Sequence, residues 1–105
     1  MKTILQTTAF QKWEYQLKDH RVKALIAARL MRLANGLVGD AKPIGDGLSE
    51  LRIHFGPGYR IYFQQRSDAI VLLLCGGEKN RQSSDIVAAK YLAKIYETNE
   101  ALPYE

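Results

Sequence analysis

The chain has 105 residues, of which 47% are hydrophobic and 25% charged, and it carries a formal net charge of +4 at pH 7. This length predicts one domain with a modest core, and the single cysteine, Cys75, excludes an internal disulfide framework. The two histidines and the cysteine lack metal-ligand spacing, and no segment has the apolar length of a membrane span or a signal peptide. We therefore expect a cytoplasmic protein without metal or cofactor.

The first third of the chain predicts a short strand followed by two helices. Residues 2–7, KTILQT, have the composition of a strand, and Thr7 or Thr8 can cap the next helix. Apolar residues then recur with the spacing of one helix face, at Phe10, Trp13 and Leu17. After a break at Asp19-His20, a second helix is predicted from about Arg21 to Asn35-Gly36. Its apolar face consists of Val22, Leu25, Ile26, Leu30 and Leu33.

Residues 36–47 contain four glycines and a proline, which predicts a loop. The next stretch, ELRIHFGPGYRIYF at residues 50–63, predicts two half-buried strands, because apolar and polar residues alternate on both sides of the Gly-Pro-Gly turn. Both strands must bury the same face, so odd-numbered residues should pair with odd-numbered residues. A three-residue loop satisfies this rule and predicts the pairs Phe55–Tyr59, His54–Arg60 and Arg52–Tyr62. The opposite face then carries a group that we call the polar tile: Arg52, His54, Arg60 and Tyr62.

The last third predicts a central strand and a helix. Residues 69–75, AIVLLLC, are continuously apolar, as in a strand covered on both faces, and Cys75 should be a buried, unreactive thiol. Residues 76–82, GGEKNRQ, predict a basic loop, and Ser83 or Ser84 can cap a final helix. Residues 99–105 predict a frayed tail outside a single domain of residues 1–98.

The element order β-α-α-β-β-β-α predicts an α+β fold. Helices followed by consecutive strands favour a largely antiparallel sheet with the helices packed on one face. The other face should then be open, at least in part, with the polar tile exposed on it and Arg60 mostly accessible to solvent.

The polar tile has the chemistry of a site for RNA phosphate. Arginine offers a planar fork to phosphate oxygens, histidine can transfer protons near neutral pH, and a tyrosine can stack on a base. Lys79 and Arg81 can converge on the same end of the sheet. Simpler interpretations stay open: Arg52 can merely pair with Glu50 or Asp68, and His54 and Tyr62 can be ordinary surface and packing residues.

Several motifs together resemble the RelE/ParE superfamily of bacterial toxins. They are an N-terminal F..W...L, the loop glycines, ELRI..GPGYR.YF and GG.K..Q..DI, spread over about residues 3–97. Within the superfamily the sequence is most similar to the HigB-like branch of addiction-module killer proteins and related phage proteins. The resemblance implies a toxin that cleaves mRNA, usually in the ribosomal A site, by activating a ribose 2′-hydroxyl without a metal ion.

The resemblance also implies roles for individual residues. Arg60 matches the central phosphate-binding arginine, Arg52 the basic residue of the preceding strand, and Lys79 the lysine of the GG.K motif. His54 lies where some HigB-like toxins use a histidine, and Tyr62 completes the expected catalytic group. RNA binding is expected from Arg81 and Gln82. The general base stays open, because Tyr91, Tyr96 and Tyr104 have no secure counterpart to the C-terminal catalytic tyrosine of RelE.

The resemblance implies partners as well. Such a toxin is silenced by a cognate antitoxin, expected to be a small helix-turn-helix protein, and it meets DNA only indirectly through that complex. One alternative is a ParE-like toxin, which shares the fold but poisons DNA gyrase through protein contacts. Another is an inactive module that only binds its antitoxin. The clustering of Arg52, His54, Arg60, Tyr62 and Lys79 favours RNA cleavage over gyrase inhibition, since a gyrase poison has no need for it.

Overall fold

The computed structural model describes residues 1–104, which form a six-stranded sheet and three α-helices. The elements in chain order are β1 (Thr3–Gln6), α1 (Thr8–Gln16), α2 (His20–Ala34), β2 (Ala41–Gly45), β3 (Leu48–Ile53), β4 (Tyr59–Ser67), β5 (Ile70–Glu78), α3 (Gln82–Ile95) and β6 (Leu102–Pro103). Short 3₁₀ turns occupy Lys79–Arg81 and Thr98–Glu100. No helix among the described residues is long and apolar enough to cross a membrane.

The sheet has the strand order β2-β3-β4-β5-β1-β6 and is antiparallel except where β1 runs parallel to β5. The predicted α+β class and the largely antiparallel sheet are therefore confirmed. The predicted first helix cap is also confirmed, because Thr7 Oγ1 accepts a hydrogen bond from the Phe10 amide at 3.1 Å. Asp19 caps α2 in the same way, through the Arg21 amide at 2.9 Å.

The segment predicted as a loop, residues 36–47, contains the edge strand β2. Here the prediction was wrong, because glycine and proline content alone does not exclude an edge strand. Pro43 lies where only one side of the strand pairs, so its missing amide hydrogen costs the sheet nothing. The glycines make the flanking turn instead, with positive φ at Gly45, Asp46 and Gly47.

Helices cover both faces of the sheet. On one face, α1 and α2 pack over the odd-numbered residues of β3 and β4, in a core that includes Phe10, Ile26, Leu30, Leu51 and Ile61. On the other face, α3 packs over a second core that contains Leu48, Tyr62, Leu72, Leu74 and Ala89. The expectation of helices on a single face therefore holds for α1 and α2 only, and the face predicted to be open is partly covered by α3.

The strand β5 continues through the predicted basic loop as far as Glu78. A Cβ atom on Gly76 would lie 2.4 Å from the Trp13 ring, and one on Gly77 would lie 2.0 Å from Asp85 Oδ2. The two glycines thus let α1 and α3 approach β5 closely from opposite sides. The helix α3 begins at Gln82 without a side-chain cap, so neither Ser83 nor Ser84 has the predicted capping role.

The C-terminal segment, predicted as a frayed tail, is ordered along the sheet edge up to residue 104. Its strand β6 pairs with β1, and the Tyr104 amide donates to the Ile4 carbonyl at 2.9 Å. The Tyr104 ring lies 6.1 Å from the Phe10 ring, and its hydroxyl donates to Glu14 at 2.7 Å. These contacts place residues 102–104 within the domain, so the boundary predicted at residue 98 does not separate a loose tail.

Candidate functional site at one end of the sheet

The hairpin of β3 and β4 pairs Arg52 with Arg60, Ile53 with Tyr59 and Glu50 with Tyr62. The predicted pairs His54–Arg60 and Arg52–Tyr62 are wrong by two residues. The loop spans residues 54–58 and is closed by a hydrogen bond of 3.0 Å from the Gly58 amide to the Phe55 carbonyl. Because a two-residue shift preserves the alternation, Leu51, Ile53, Ile61 and Phe63 still face α1 and α2 as predicted.

An exposed group, which we call the Asp40 cluster, joins Asp40, Arg52 and His54 just before β2 and at the end of β3. Asp40 Oδ1 accepts from Arg52 Nη2 at 2.8 Å and from Nε at 3.2 Å. The other carboxylate oxygen, Oδ2, lies 2.6 Å from His54 Nε2. These bonds from His54 and Arg52 lower the pKa of Asp40 below its ordinary value. The aspartate therefore holds both basic side chains at one point of the surface.

The backbone beneath the Asp40 cluster is held by a partly buried arginine of α2. Arg29 Nη1 donates to the Arg52 carbonyl at 2.8 Å, and Nη2 donates to the Asp40 carbonyl at 3.3 Å. Arg52 also donates its amide to the Asp40 carbonyl. The chain segments on which Asp40 and Arg52 stand are thus fixed relative to one another.

A second group, the Glu50 cluster, lies beneath α3 and consists of Glu50, Arg60 and Gln82. Arg60 Nε donates to Glu50 Oε2, and Gln82 Nε2 donates to Glu50 Oε1 at 2.8 Å. The side chains of Arg60 and Glu50 are only 10% and 2% exposed. The expectation that Arg60 is mostly exposed was wrong, because α3 covers this part of the sheet and Glu50 supplies the opposite charge on the neighbouring strand.

Tyr62 is fully buried in the core under α3, and its hydroxyl has no hydrogen-bond partner among the described residues. Burial raises the pKa of this phenol above its ordinary value. The ring therefore cannot stack on a base in this conformation, and the prediction that it lies on an exposed tile with Arg52 and His54 is wrong. The interpretation of Tyr62 as a packing residue is the one that its burial supports.

The cations predicted beyond β5 lie at the same end of the sheet. Lys79 is exposed, and its amide donates to the Gly58 carbonyl at 2.9 Å, which places it beside the hairpin loop. Arg81 is exposed at the start of α3, whereas the Gln82 side chain is already bound to Glu50. Lys79 and Arg81 are thus available to an anionic ligand, and Gln82 is not available while the Glu50 cluster is intact.

The sequence predicts the basic residues of this site. It does not predict that Asp40 pairs with Arg52, or that Glu50 pairs with Arg60. Glu50 is a candidate partner of Arg52 in the sequence and instead pairs with Arg60, while Asp40 lies in a segment interpreted as a loop. Recognising residues 41–45 as an edge strand would have brought Asp40 beside β3. Among residues 1–104, no three side chains of His, Cys, Asp or Glu are placed to hold a metal ion.

The remaining tyrosines and the cysteine lie away from the Asp40 cluster. Tyr91 is exposed on α3, Tyr96 Oη accepts from the Thr8 amide, and Tyr104 is bound to Glu14. Cys75 is buried as predicted, and burial raises the pKa of its thiol to about 12, which keeps it protonated and unreactive at neutral pH. Within the Asp40 cluster, His54 is the side chain whose second ring nitrogen is left free of the bond to Asp40.

Comparison with known proteins finds similarity both in sequence and in structure. No protein-family model matches the chain. An uncharacterised protein of Haemophilus influenzae is 47% identical over 91 residues, which cover 87% of this chain and 92% of that protein. A chain of the toxin–antitoxin complex RelBE2 from Mycobacterium tuberculosis has the same fold, with a TM-score of 0.59 and 19% identity.

The structural likeness and the sequence likeness support different conclusions. The match to the RelBE2 chain covers 74% of this chain and 98% of that chain, so the shared fold extends over nearly the whole of the solved domain. At this level of identity the likeness concerns the fold, which is RelE-like. Sequence identity of 47% over 87% of its length makes this chain a member of the same protein family as the Haemophilus influenzae protein.

Proposed function

We propose that the protein is the toxin of a toxin–antitoxin pair and that it cleaves mRNA at the basic end of its sheet. The observation that carries this proposal is the Asp40 cluster, in which one carboxylate holds a histidine and an arginine side by side at the surface. Lys79 adds a cation at the hairpin loop next to it. The fold shared with a chain of a toxin–antitoxin complex supports the biological setting.

The geometry suggests how the cleavage would proceed. His54 Nε2 donates to Asp40, so Nδ1 is the nitrogen that can accept a proton from a ribose 2′-hydroxyl. The 2′-oxygen then bonds to the adjacent phosphorus, the bond from phosphorus to the 5′-oxygen breaks, and that oxygen takes a proton from water. Arg52 uses Nε and Nη2 for Asp40 and keeps Nη1 for a phosphate oxygen.

Arg60 has a different role in this proposal from the one the sequence suggests. Contact with a phosphate would require the buried pair with Glu50 to open, which would leave a carboxylate without its partner in the core. Arg60 therefore supports the site by binding Glu50 of β3, which also accepts a hydrogen bond from Gln82 of α3, and the phosphate is bound by Arg52 and Lys79.

The test of catalysis uses the two histidines of the chain as a matched pair. We expect His54→Ala to lower the rate of RNA cleavage by about 10²–10⁴, the range for loss of a general base. We expect His20→Ala to retain full activity, because His20 is exposed at the start of α2 and lies outside the cluster. Cleavage at the wild-type rate by a folded His54→Ala variant would overturn the proposed mechanism.

A second measurement concerns the substrate. We propose that the RNA is mRNA engaged by a translating ribosome in the cytoplasm, which would bring the scissile phosphate to the exposed Asp40 cluster. Cleavage mapped by primer extension should then appear with ribosomes present and be absent on naked RNA. Equal cleavage of naked RNA would show that the ribosome is not required.

The outward face of α3 is suited to the antitoxin. Val87, Tyr91 and Ile95 follow one another along the helix and are 69%, 62% and 49% exposed. Lys94 lies on the same face, and the one acid of α3, Asp85, points towards β5 instead. An amphipathic partner segment with apolar and acidic side chains would complement this face. A second copy of the chain would bring lysines together, which disfavours a homodimer through α3.

The protein encoded by the gene next to that of this chain provides the test of this surface. If it is the antitoxin, it should co-purify with the wild-type chain and restore growth when co-expressed. Tyr91→Glu should weaken the complex at least tenfold, since it places a carboxylate in the apolar face, whereas Tyr15→Glu on the exposed side of α1 should not. An unchanged complex with Tyr91→Glu would exclude the α3 surface.

The second candidate function is inhibition of DNA gyrase by protein contact. It is favoured by the pairing of Arg52 and Arg60 with carboxylates, which reduces the free positive charge, and by the exposed apolar face of α3. In a supercoiling assay, a gyrase inhibitor would be insensitive to His54→Ala and sensitive to Tyr91→Glu. A chain that neither cleaves RNA nor inhibits gyrase would be the inactive antitoxin-binding module.

A further inference from the structure

A polar cleft opens at the C-terminal end of β5, between α1 and α3. It has a volume of about 450 Å³, which is within the usual size range of small-ligand sites. The residues that matter for its chemistry are Trp13, Gly76, Gly77, Asn80, Arg81 and Asp85. The cleft therefore combines an aromatic ring, a carboxylate, an amide and a guanidinium around a backbone floor.

The two glycines of β5 form that floor. The six-membered part of the Trp13 ring lies so close to Gly76 that a Cβ atom there would be 2.4 Å from it. On the other side of the strand, Asp85 Oδ2 lies close to Gly77, and a Cβ atom on that glycine would be only 2.0 Å from it. Both the ring and the carboxylate are thus brought to the strand end by the absence of side chains.

The carboxylate of Asp85 is held there at an energetic cost. Its Oδ2 atom is buried and accepts no hydrogen bond from the described residues. Burial raises the pKa of Asp85 above its ordinary value, and the charge of Arg81 offsets this only in part. Because Asp85 lines the cleft, a rotation of its side chain away from Gly77 would present both carboxylate oxygens to a ligand, whose hydrogen-bond donors would satisfy them.

We propose that this cleft binds a guanine base of the RNA substrate, an inference that rests on the proposed function. Guanine is the base whose Watson–Crick edge presents two adjacent donors, N1–H and the N2 amino group, which match the carboxylate of Asp85. Its O6 acceptor suits the amide of Asn80 or the guanidinium of Arg81. Trp13 supplies an aromatic surface beside the base, as in other sites that hold an unstacked nucleotide.

The position of the cleft fits a nucleotide next to the scissile phosphate. Gly77 pairs with Arg60, and Arg60 pairs with Arg52 of the Asp40 cluster. Two strand spacings separate Gly77 from Arg52, or about 10 Å. Lys79 and Arg81 lie in the turn that leaves β5, so the backbone between the two nucleotides would pass over positive charge.

Trp13 is the single tryptophan of the chain and lines the cleft, so its fluorescence reports on binding there directly. The experiment titrates the wild-type protein with GMP, AMP, CMP and UMP, with N-acetyltryptophanamide correcting for absorption by the nucleotides. We expect saturable quenching by GMP with an affinity at least tenfold higher than for the other three. Equal affinity for all four nucleotides, or no saturable quenching, would overturn the proposal.

Two variants localise the preference. Asp85→Asn should abolish the preference for GMP, because an amide offers only one acceptor oxygen where guanine presents two donors. Lys79→Ala should lower the affinity for all four nucleotides by the same factor, so that the preference for GMP is kept. A GMP preference that survives in a folded Asp85→Asn variant, checked by thermal melting, would overturn the assignment to this carboxylate.

The outcomes separate this inference from the proposed function. His54→Ala should lose RNA cleavage and keep GMP binding, because His54 lies outside the cleft. If the chain prefers GMP but does not cleave RNA, the guanine site is supported and the proposed nuclease function is rejected. Cleavage without any GMP preference would retain the nuclease and reject the guanine site.

Discussion

Arg52 and Arg60 are cross-strand neighbours, and each is paired with a carboxylate in a different environment. The pair of Arg52 and Asp40 is about one-third exposed on both sides, whereas Arg60 and Glu50 are almost inaccessible to water. Exposed ion pairs contribute little to stability, since water solvates both charges when the pair opens. Removing one member of a buried pair leaves the other charge without solvent or partner, and this is costly.

Arg60→Ala is therefore expected to destabilise the fold by about 3–5 kcal/mol, the range for breaking a buried ion pair. An exposed side chain, as the sequence suggests for Arg60, would cost no more than about 0.5 kcal/mol. Urea unfolding followed by circular dichroism measures the difference. Arg52→Ala serves as the matched control, with an expected loss of about 1 kcal/mol or less. Equal stability of the two variants would show that Arg60 does not depend on Glu50.

The double variant Glu50→Leu with Arg60→Met tests the same ion pair by replacing both of its members with apolar residues. Replacing a buried ion pair by apolar residues of similar volume is often neutral or stabilising. We expect the double variant to recover most of the stability lost by Arg60→Ala. Gln82 can turn its amide to water in that variant, since its side chain is only partly buried.

Asp85 should give the stability a distinct dependence on pH. Its folded-state pKa is raised by burial, so its protonated form is favoured by folding, and this contribution is lost as the pH rises through the folded-state pKa. At neutral pH, which lies above the unfolded-state pKa, the burial of Asp85 therefore lowers the stability of the fold. Asp85→Asn should raise the melting temperature at pH 7, and the difference should shrink as the pH falls towards the unfolded-state value of about 3.9.

A melting temperature of Asp85→Asn that is below wild type at pH 7 would contradict this. Asp40 provides the comparison of opposite sign, because its pKa is lowered by His54 and Arg52. Its contribution to stability is present above the unfolded-state pKa and is lost as the pH falls through the depressed folded-state value. Asp40→Asn should therefore lower the melting temperature at pH 7, and this loss should vanish in strong acid.

At the scale of elements, the C-terminal segment, residues 102–104, forms a strap, by which we mean that it runs along β1 and covers its outer edge. The strand β6 has only two residues, so its backbone pairing alone is a weak anchor. Further contacts come from side chains: Gln6 Nε2 donates to the Pro103 carbonyl at 3.1 Å, and the Tyr104 ring packs against Phe10. The strap therefore depends on Tyr104, which connects β6 to α1.

Tyr104→Ala is expected to destabilise the protein by about 2 kcal/mol, which is less than the range of about 3–5 kcal/mol for truncating a fully buried aromatic side chain, since Tyr104 is partly exposed. Tyr104→Phe keeps the ring contact and loses the hydrogen bond to Glu14, at a cost of about 1 kcal/mol. Chemical unfolding measures both values. Amide exchange in β1 should also become faster in Tyr104→Ala. Unchanged exchange there would mean that β6 and Tyr104 do not protect this edge.

At the scale of the whole molecule, the positive charge is less available than the composition suggests. The net charge is +4, and residues 1–45 contribute eight Lys and Arg against three acids. Yet Arg21 is paired with Asp19, Arg52 with Asp40 and Arg60 with Glu50. The field that an RNA meets at the basic end of the sheet therefore comes largely from Lys79 and Arg81.

Salt dependence of RNA binding measures which cations contact phosphate. Each cation that neutralises a phosphate of a single strand adds about 0.7 to the slope of log K against log salt concentration. Lys79→Ala and Arg81→Ala should each lower the slope by about 0.7. Lys2→Ala is the control, because Lys2 lies at the opposite end of the sheet beside Asp68. An equal effect of Lys2→Ala would indicate diffuse binding without a defined site.

The sequence by itself determined the first two helices and the facing of the side chains in β3 and β4. Capping by Thr7, the break at Asp19-His20 and the helical spacing of apolar residues are properties of a few consecutive residues, so they place α1 and α2 correctly. The alternation around Gly56–Gly58 settles which residues of β3 and β4 face α1 and α2. It does so because side chains in a strand alternate with period two, whatever the register of its partner.

Only the tertiary structure decided the features that involve distant segments. A shift of two residues preserves the alternation, so the pattern could not choose between the predicted register and the observed pairing of Arg52 with Arg60. Likewise, no local pattern tells on which face α3 packs, and that packing is what buries Arg60 and Tyr62. The pairing of Asp40 with His54 depends on β2 returning along β3, a contact between residues that are 14 positions apart. Burial and ion pairing belong to such distant contacts, and for that reason the chemistry of the site became visible only in the folded chain.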